Sequence, residues 1–256
     1  SAVTHSTEST GLNSERFATH LGQRASLPDW WLEAKKTAWN QYNALPLPTR
    51  QDERWRYSNL KGLKLDGFDL PEEASIHVPH LPDFEHVGEL TFSNRQLIGR
   101  QTLPAELSEQ GVIFAPFNEA LRDHGDLIRQ YFQKHPANLG SEKFVALNTA
   151  FTATGAVLFV PKNVELSEPV VVQHTLSGDH NAAFPHTLVI TEDFAKVKLV
   201  EANLSATGGT RGLLGALLRR TLRPVHAFWR GNARPFHRPC LTMLDDVTVI
   251  PSHSIL

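Results

Sequence analysis

The chain has 256 residues, 41% hydrophobic and 20% charged, with a formal net charge of −2. Such a chain makes one large or two smaller globular domains with a substantial core, and its charge excludes whole-molecule attraction to nucleic acid or anionic membrane. The single cysteine, Cys240, excludes an intrachain disulfide and any all-cysteine metal or cluster site within one chain, and fits a reducing compartment.

Ser1–Thr19 is polar and mixed in charge, without the apolar stretch of an export signal, and residues 1–25 are expected to be a flexible N-terminus. Ser26-Leu27-Pro28-Asp29 reads as a helix start, with serine as the cap and proline in the first turn. Leu27, Trp30, Trp31, Ala34, Ala38, Tyr42 and Leu45 then recur at three- and four-residue spacing and define one apolar face, stopped by Pro46 and Pro48. The next segment, Pro48 to Leu60, mixes three arginines, two carboxylates and two large aromatics. It suits a docking segment in which Trp55 and Tyr57 bury their rings while arginines and acids pair nearby. Thr49 and Asp52 have the spacing of a capping box, with Asp in place of the usual Glu or Gln, so a short helical turn is expected there.

From Leu65 to Pro82 the chain is rich in proline and acid and reads as loop. Gly88–Ser93 alternates like a strand and leads into a turn at Asn94-Arg95, and Gly111–Ala115 is a second short strand. Asn118–Leu121 and Leu127–Phe132 read as short helices broken at Gly125. Beyond Lys143, β-branched runs at Ala156–Val160, Val170–Val172, Thr187–Ile190 and Val197–Val200 recur at regular spacing, which fits a sandwich or a β-solenoid and does not choose between them. The longest apolar run near the end, Leu213–Leu218, is far shorter than the roughly 20 residues that span a bilayer. A soluble, cytoplasmic protein is expected.

From Ala202 the character changes again. Between Glu201 and Asp245 there is no acid, no lysine follows Lys198, and Arg211, Arg219, Arg220, Arg223, Arg230, Arg234 and Arg238 accumulate with repeated Arg-Pro pairs.

The chemistry-bearing groupings are sparse. Gly208-Gly209-Thr210-Arg211-Gly212 lacks the lysine and spacing of a phosphate loop and reads as a turn. His77 and His80, followed by Glu85 and His86, are ligand types, but Pro79 prevents the helix that would put a histidine pair on one face, and a surface loop is expected. His237 and Cys240 have the spacing of half a metal site with no second half in the chain. Asp245-Asp246 reads as a turn or salt-bridge pair, because neighbours on a strand point to opposite faces. No Gly-x-Ser-x-Gly elbow occurs, and no catalytic or cofactor-binding residue is assigned.

In order and spacing, the blocks between residues 27 and about 201 resemble the SufD branch of the SufB/SufD superfamily, from the SUF iron–sulfur cluster assembly machinery. The resemblance is carried by Pro48, Arg50, Glu53, Trp55, Arg56, Tyr57 and Leu60. It continues through Leu90–Asn94, Leu103-Pro104, Gly111–Ile113, Phe144 to Phe151 with Leu147 and Asn148, Gly155, Val160-Pro161, Glu168-Pro169-Val170, His186–Ile190 and Lys196–Glu201.

The resemblance implies a non-enzymatic scaffold subunit, with Trp55 and Tyr57 as packing residues. It implies a mixed α/β N-terminal region over 26–140, followed over 141–205 by an all-β right-handed parallel β-helix (a β-solenoid), incomplete at the C-terminus. It implies pairing with a SufB-like subunit through the solenoid, and an iron–sulfur cluster at that interface rather than on this chain alone. The family's cluster-linked histidine and cysteine positions have no counterpart here, so no cluster ligand is carried over. The region that meets the ATPase SufC is also missing, which counts against that partner. Nucleic acid and membrane are not expected as partners.

For residues 206–256 the expectation is a reading-frame shift near Ser205–Gly212, checked by translating the other two frames of the nucleotide sequence. Two rival functions remain. A β-solenoid enzyme acting on carbohydrate needs clustered carboxylates on its strands, and the run from 156 to 200 offers few. An RNA-binding protein would use the basic tail, with Phe228, Trp229 and Phe236 as stacking partners.

Overall fold

A computed structural model describes residues 11–52, 55–57, 63–71, 73–74, 78–79, 81, 83–132, 142–206, 212–214 and 217–221. The order is α1 (Ser14–Gly22), α2 (Asp29–Ala44), β1 (Gly88–Ser93), β2 (Gln96–Gln101), α3 (Ala105–Glu109), β3 (Ile113–Pro116), α4 (Phe117–Asp123), α5 (Gly125–Tyr131), α6 (Glu142–Phe151), β4 (Gly155–Val160), β5 (Val170–Leu176), β6 (Asn181–Ala183), β7 (His186–Thr191), β8 (Leu199–Ser205), β9 (Gly212–Leu214) and β10 (Leu217–Thr221).

The strands form two mixed four-stranded sheets, ordered β2-β1-β5-β8 and β10-β7-β4-β3, and a small parallel pair β6-β9. β1 pairs antiparallel with β2 but parallel with β5, Leu90 opposite Val172. β4 pairs parallel with β7, Val157 opposite Leu188, and antiparallel with β3. Each large sheet is thus bordered on one side by an antiparallel strand from the first half of the chain.

This corrects the expected β-helix. The architecture is mixed sheets with packed helices, not a right-handed parallel β-solenoid, and the segment expected to begin the solenoid, Glu142–Phe151, is a helix. The expected pairing with a SufB-like subunit through a solenoid goes with it. Short β-branched runs declare that a strand is buried on both faces, but they do not declare its neighbour. Here the neighbours include β1 and β3 from the first half of the chain.

Among the described residues, three apolar clusters fill the layers. The first lies between the two large sheets, where Leu90, Phe92, Leu158, Val172, Val189 and Leu199 meet. Alternate residues of the same strands, Val157, Leu188 and Ile190, point the other way and pack on Trp31, Phe117, Leu121 and Ile128 of α2, α4 and α5. The third joins α1, α2 and α6 through Phe17, Trp39, Tyr42, Phe144, Leu147 and Phe151, with Trp55 and Phe184 completing it. Gly155 opens β4 at φ +131, and any Cβ there would collide with the His186 carbonyl, so the parallel contact with β7 requires glycine.

α2 and α6 secure one another's ends. Lys143, at the start of α6, donates to the Tyr42 and Leu45 carbonyls at the end of α2 (2.7 and 2.6 Å). Lys35 of α2 donates to the Thr149, Ala150 and Thr152 carbonyls at the end of α6 (3.2, 3.0 and 2.7 Å). Each lysine satisfies carbonyls that a helix terminus leaves without intrahelical partners.

Several elements differ from the sequence reading. The expected flexible N-terminus contains α1, capped by the Asn13 side chain accepting from Arg16 N–H at 2.9 Å. Ser26 does not cap α2, which starts on Pro28 without a side-chain cap. Regular pairing continues to Thr221 through β9 and β10, past residue 206 where the atypical tail is read to begin. Residues 222–256 lie outside the described residues, and with them His237, Cys240, Asp245, Asp246 and the aromatic residues of the RNA reading.

Candidate functional site: the signature segment and a buried basic cluster

After the prolines that end α2, the Thr49 backbone N–H donates to Asp52 Oδ2 at 2.7 Å, and Gln51 N–H donates to Thr49 Oγ1 at 3.2 Å. The Asp52 arm of the capping box read from the spacing is present, while Thr49 Oγ1 accepts from Gln51 N–H and the Asp52 N–H donates to the Thr49 carbonyl at 3.1 Å. The turn it starts carries Trp55 N–H to the Asp52 carbonyl at 2.8 Å and drives the indole inward. Trp55 is buried and stacks on Phe144 of α6, ring centres 5.0 Å apart and 27° between planes. Tyr57, expected to pack beside it, is instead 94% exposed, with exposed Arg56 before it. Trp55 and Tyr57 lie two residues apart on a tight turn, so one ring faces the core and the other faces solvent. Pro48 is buried and Arg50 exposed, while Glu53 lies outside the described residues.

The other signature residues have packing and hydrogen-bonding roles. Leu147 sits fully inside the helical cluster. Asn148, also buried, donates from Nδ2 to the Pro185 carbonyl at 2.8 Å and ties α6 to the turn before β7. Thr152 Oγ1 donates back to the Asn148 carbonyl at 2.6 Å. The Pro161 carbonyl accepts from Val164 N–H at 3.2 Å in the turn after β4, and the Pro169 carbonyl accepts from Val87 N–H at 2.9 Å, setting β1 beside β5.

A basic cluster that the sequence reading missed lies at the end of α6. Lys35 is fully buried. Its Nζ lies 3.2 Å from His20 Nε2, in addition to the three α6 carbonyls. On the other side of the imidazole, Arg95 Nη2 lies 3.0 Å from Nδ1, and Arg24 Nη1 donates to the His20 carbonyl at 3.1 Å. Burial first, then Arg24 and Arg95, holds the Lys35 amine well below the ordinary lysine range. Burial first, then Lys35, Arg24 and Arg95, lowers His20 well below the usual histidine value, against a raising hydrogen bond to Thr152. Burial and Arg95 push Arg24 down to about 9. A signal existed in the sequence: Lys35 falls four residues after Trp31 and three before Ala38, on the apolar face of α2.

Of the expected metal-ligand types, His86 is described, with Nε2 3.4 Å from Glu89 and Nδ1 2.9 Å from the Phe84 carbonyl. His77 and His80 lie outside the described residues. Among the described residues no group of three or more His, Cys, Asp or Glu is placed to hold a metal ion. Nor is any described helix long and apolar enough to cross a membrane. Among the described residues the exposed large apolar side chains are Tyr57, Phe84, Leu97 and Ile98 on the strand β2, and Phe194, which is 68% exposed in a left-handed turn at φ +63.

The described signature residues other than the exposed Arg50, Arg56 and Tyr57 therefore hold helices, turns and strands together. Residues 24–172 match the family model described as the SufBD protein N-terminal region. The chain belongs to the SufBD family through that region, which includes the Trp55 turn, α2 to α6 and β1 to β4.

An iron–sulfur cluster assembly protein SufD of Bacillus subtilis is 29% identical over 197 residues, covering 75% of this chain and 45% of that protein. A SufBD family protein of Staphylococcus epidermidis is 26% identical over 224 residues, covering 80% of this chain and 46% of its own length. One from Mycobacterium bovis is 26% identical over 240 residues, covering 86% and 27%. The chain thus spans about half the length of the first two relatives and about a quarter of the third.

Proposed function

We propose that this chain acts in iron–sulfur cluster assembly as a SufD-like, non-enzymatic scaffold subunit of the cytoplasm. The observation that carries this reading is the family match over residues 24–172, together with relatives described as iron–sulfur cluster assembly proteins. The use of the signature side chains supports the non-enzymatic part. Trp55, Leu147 and Asn148 pack and brace the helices, and the Pro161 and Pro169 carbonyls fix turns.

In this reading the chain pairs with a SufB-like subunit, and the cluster is cargo held where the two subunits meet. Pairing with a SufC-like ATPase is not part of the proposal. Anaerobic reconstitution with iron, a sulfide source and the SufB-like subunit of the same organism tests it. Visible absorbance of a cluster should co-elute with the mixture of the two chains and not with this chain alone. A stable cluster on this chain alone, or no cluster on the mixture, would overturn the reading.

A further inference from the structure

The signature segment displays two arginines and a tyrosine that its own packing leaves unused. Two i→i+3 backbone bonds run through it, from Asp52 N–H to the Thr49 carbonyl at 3.1 Å and from Trp55 N–H to the Asp52 carbonyl at 2.8 Å. Turns of three residues put Thr49, Asp52 and Trp55 on one face and Arg50 and Arg56 together on another, about 12 Å apart at a rise of roughly 2 Å per residue. That spacing lies within the joint reach of two arginine side chains. Trp55 turns inward onto Phe144, and Pro48 is buried at the other end, so the backbone carrying the exposed groups is held on both sides.

Charge balance within the segment does not use the arginines. The Asp52 carboxylate is committed to the cap, where Oδ2 accepts from Thr49 N–H at 2.7 Å and from Thr49 Oγ1 at 3.3 Å. The Arg50 and Arg56 side chains are exposed and make no hydrogen bond or ion pair with Asp52 or any other described residue. The Tyr57 ring is 94% exposed, and its hydroxyl has no partner among the described residues. A single exposed side chain of either type is ordinary. Here two unpaired guanidiniums accompany an exposed phenol on one anchored turn.

Tyrosine and arginine concentrate binding energy at protein interfaces, the ring through contact area and the guanidinium through paired bonds to carboxylate. All three groups donate hydrogen bonds, and two of them are cationic, so the complementary surface carries acidic acceptors. The net charge of −2 disfavours nucleic acid or an anionic membrane as its source. We propose that Arg50, Arg56 and Tyr57 form a docking surface for an acidic segment of a partner protein. Carboxylates of that segment sit on the two guanidiniums, and an aliphatic stem crosses the Tyr57 ring. The surface is independent of the cluster-assembly reading, because it rests on the unpaired groups of this turn alone.

The test is an NMR titration of the full chain with hexaglutamate. The side-chain Nε–H signals of Arg50 and Arg56 and the ring signals of Tyr57 should move saturably, and further than those of the other arginines. Raising ionic strength from about 0.01 M to about 1 M should cancel the shifts, since exposed ion pairs are screened. Arg50→Glu with Arg56→Glu should lose at least about tenfold in affinity for hexaglutamate and gain affinity for hexalysine. Tyr57→Ala should lose about fivefold with its thermal unfolding unchanged. Shifts with no preference for this turn, or unchanged binding by the double variant, would overturn the proposal. So would tighter binding of a uridine oligonucleotide than of hexaglutamate, which would assign the surface to nucleic acid. Movement of the same signals with protein concentration alone would assign it to a second copy and equally overturn the proposal. Should the double variant not fold, the wild-type shifts and Tyr57→Ala still decide it.

Discussion

Replacing Trp55 by alanine tests the packing role of the signature segment. The indole is buried and stacked on Phe144 at 5.0 Å. A tryptophan buries roughly 200 Å², which at about 25 cal/mol per Å² corresponds to about 5 kcal/mol, with about 1 kcal/mol more from the stacked pair. That is an upper bound, because the unfolded chain already hides part of its apolar surface, and truncation to alanine typically costs about 3–5 kcal/mol. The indole N–H is buried and has no hydrogen-bond partner among the described residues, so no such bond is lost with it. Trp55→Phe keeps a ring against Phe144 and removes that donor, and should stay within about 1.5 kcal/mol of wild type. Tyr57→Ala removes a ring that is 94% exposed and should change stability by no more than about 0.5 kcal/mol. Urea unfolding followed by far-UV circular dichroism measures all three. A Trp55→Ala loss below about 1 kcal/mol, or an equal loss from Tyr57→Ala, would refute the assignment of anchor and exposed ring.

Other substitutions separate backbone from side-chain effects. Gly155→Ala should cost about 3 kcal/mol or more, since a Cβ would strike the His186 carbonyl at positive φ, whereas Gly22→Ala, with open space around it, should stabilise by about 0.5 kcal/mol; thermal unfolding of both distinguishes them. Thr49→Ala and Asp52→Ala should each cost about 1 kcal/mol, and the double mutant less than the sum, because the Thr49 hydroxyl and the Asp52 carboxylate also bond to each other in the same turn. Asn148→Ala should cost about 1–3 kcal/mol, since the Pro185 carbonyl loses its buried donor, and amide exchange at β7 should rise with it.

The helical elements were legible where the local pattern was strong. The apolar stripe of α2 and the two short helices on either side of Gly125 follow from spacing and breakers, and the structure places them at Asp29–Ala44, Phe117–Asp123 and Gly125–Tyr131. The Thr49–Asp52 cap was legible because its geometry spans only a few residues. Long-range choices were not. That β1 would pair with β5 and β3 with β4 depends on burial in three dimensions, and Val-rich runs look alike whichever strand they join. The expected β-helix came from that regular spacing and from the family resemblance. β2 stayed hidden because it is an edge strand with mostly exposed residues and hence no buried periodicity. Lys35 and His20 escaped notice because charged and polar types are read as surface, although Lys35 lies on the apolar face of α2. Tyr57 was misplaced because its type suggests burial while the turn sends it outward.

The central claim, a SufD-like scaffold subunit, is tested most directly by its affinity for a SufB-like partner. The tagged chain and the Bacillus subtilis relative should be immobilised in parallel and titrated with the SufB-like subunit of each source. The account predicts saturable binding by both, stoichiometric at the plateau and lost when the chain is unfolded. Binding by the longer relative with none by this chain, under the same conditions, would contradict it.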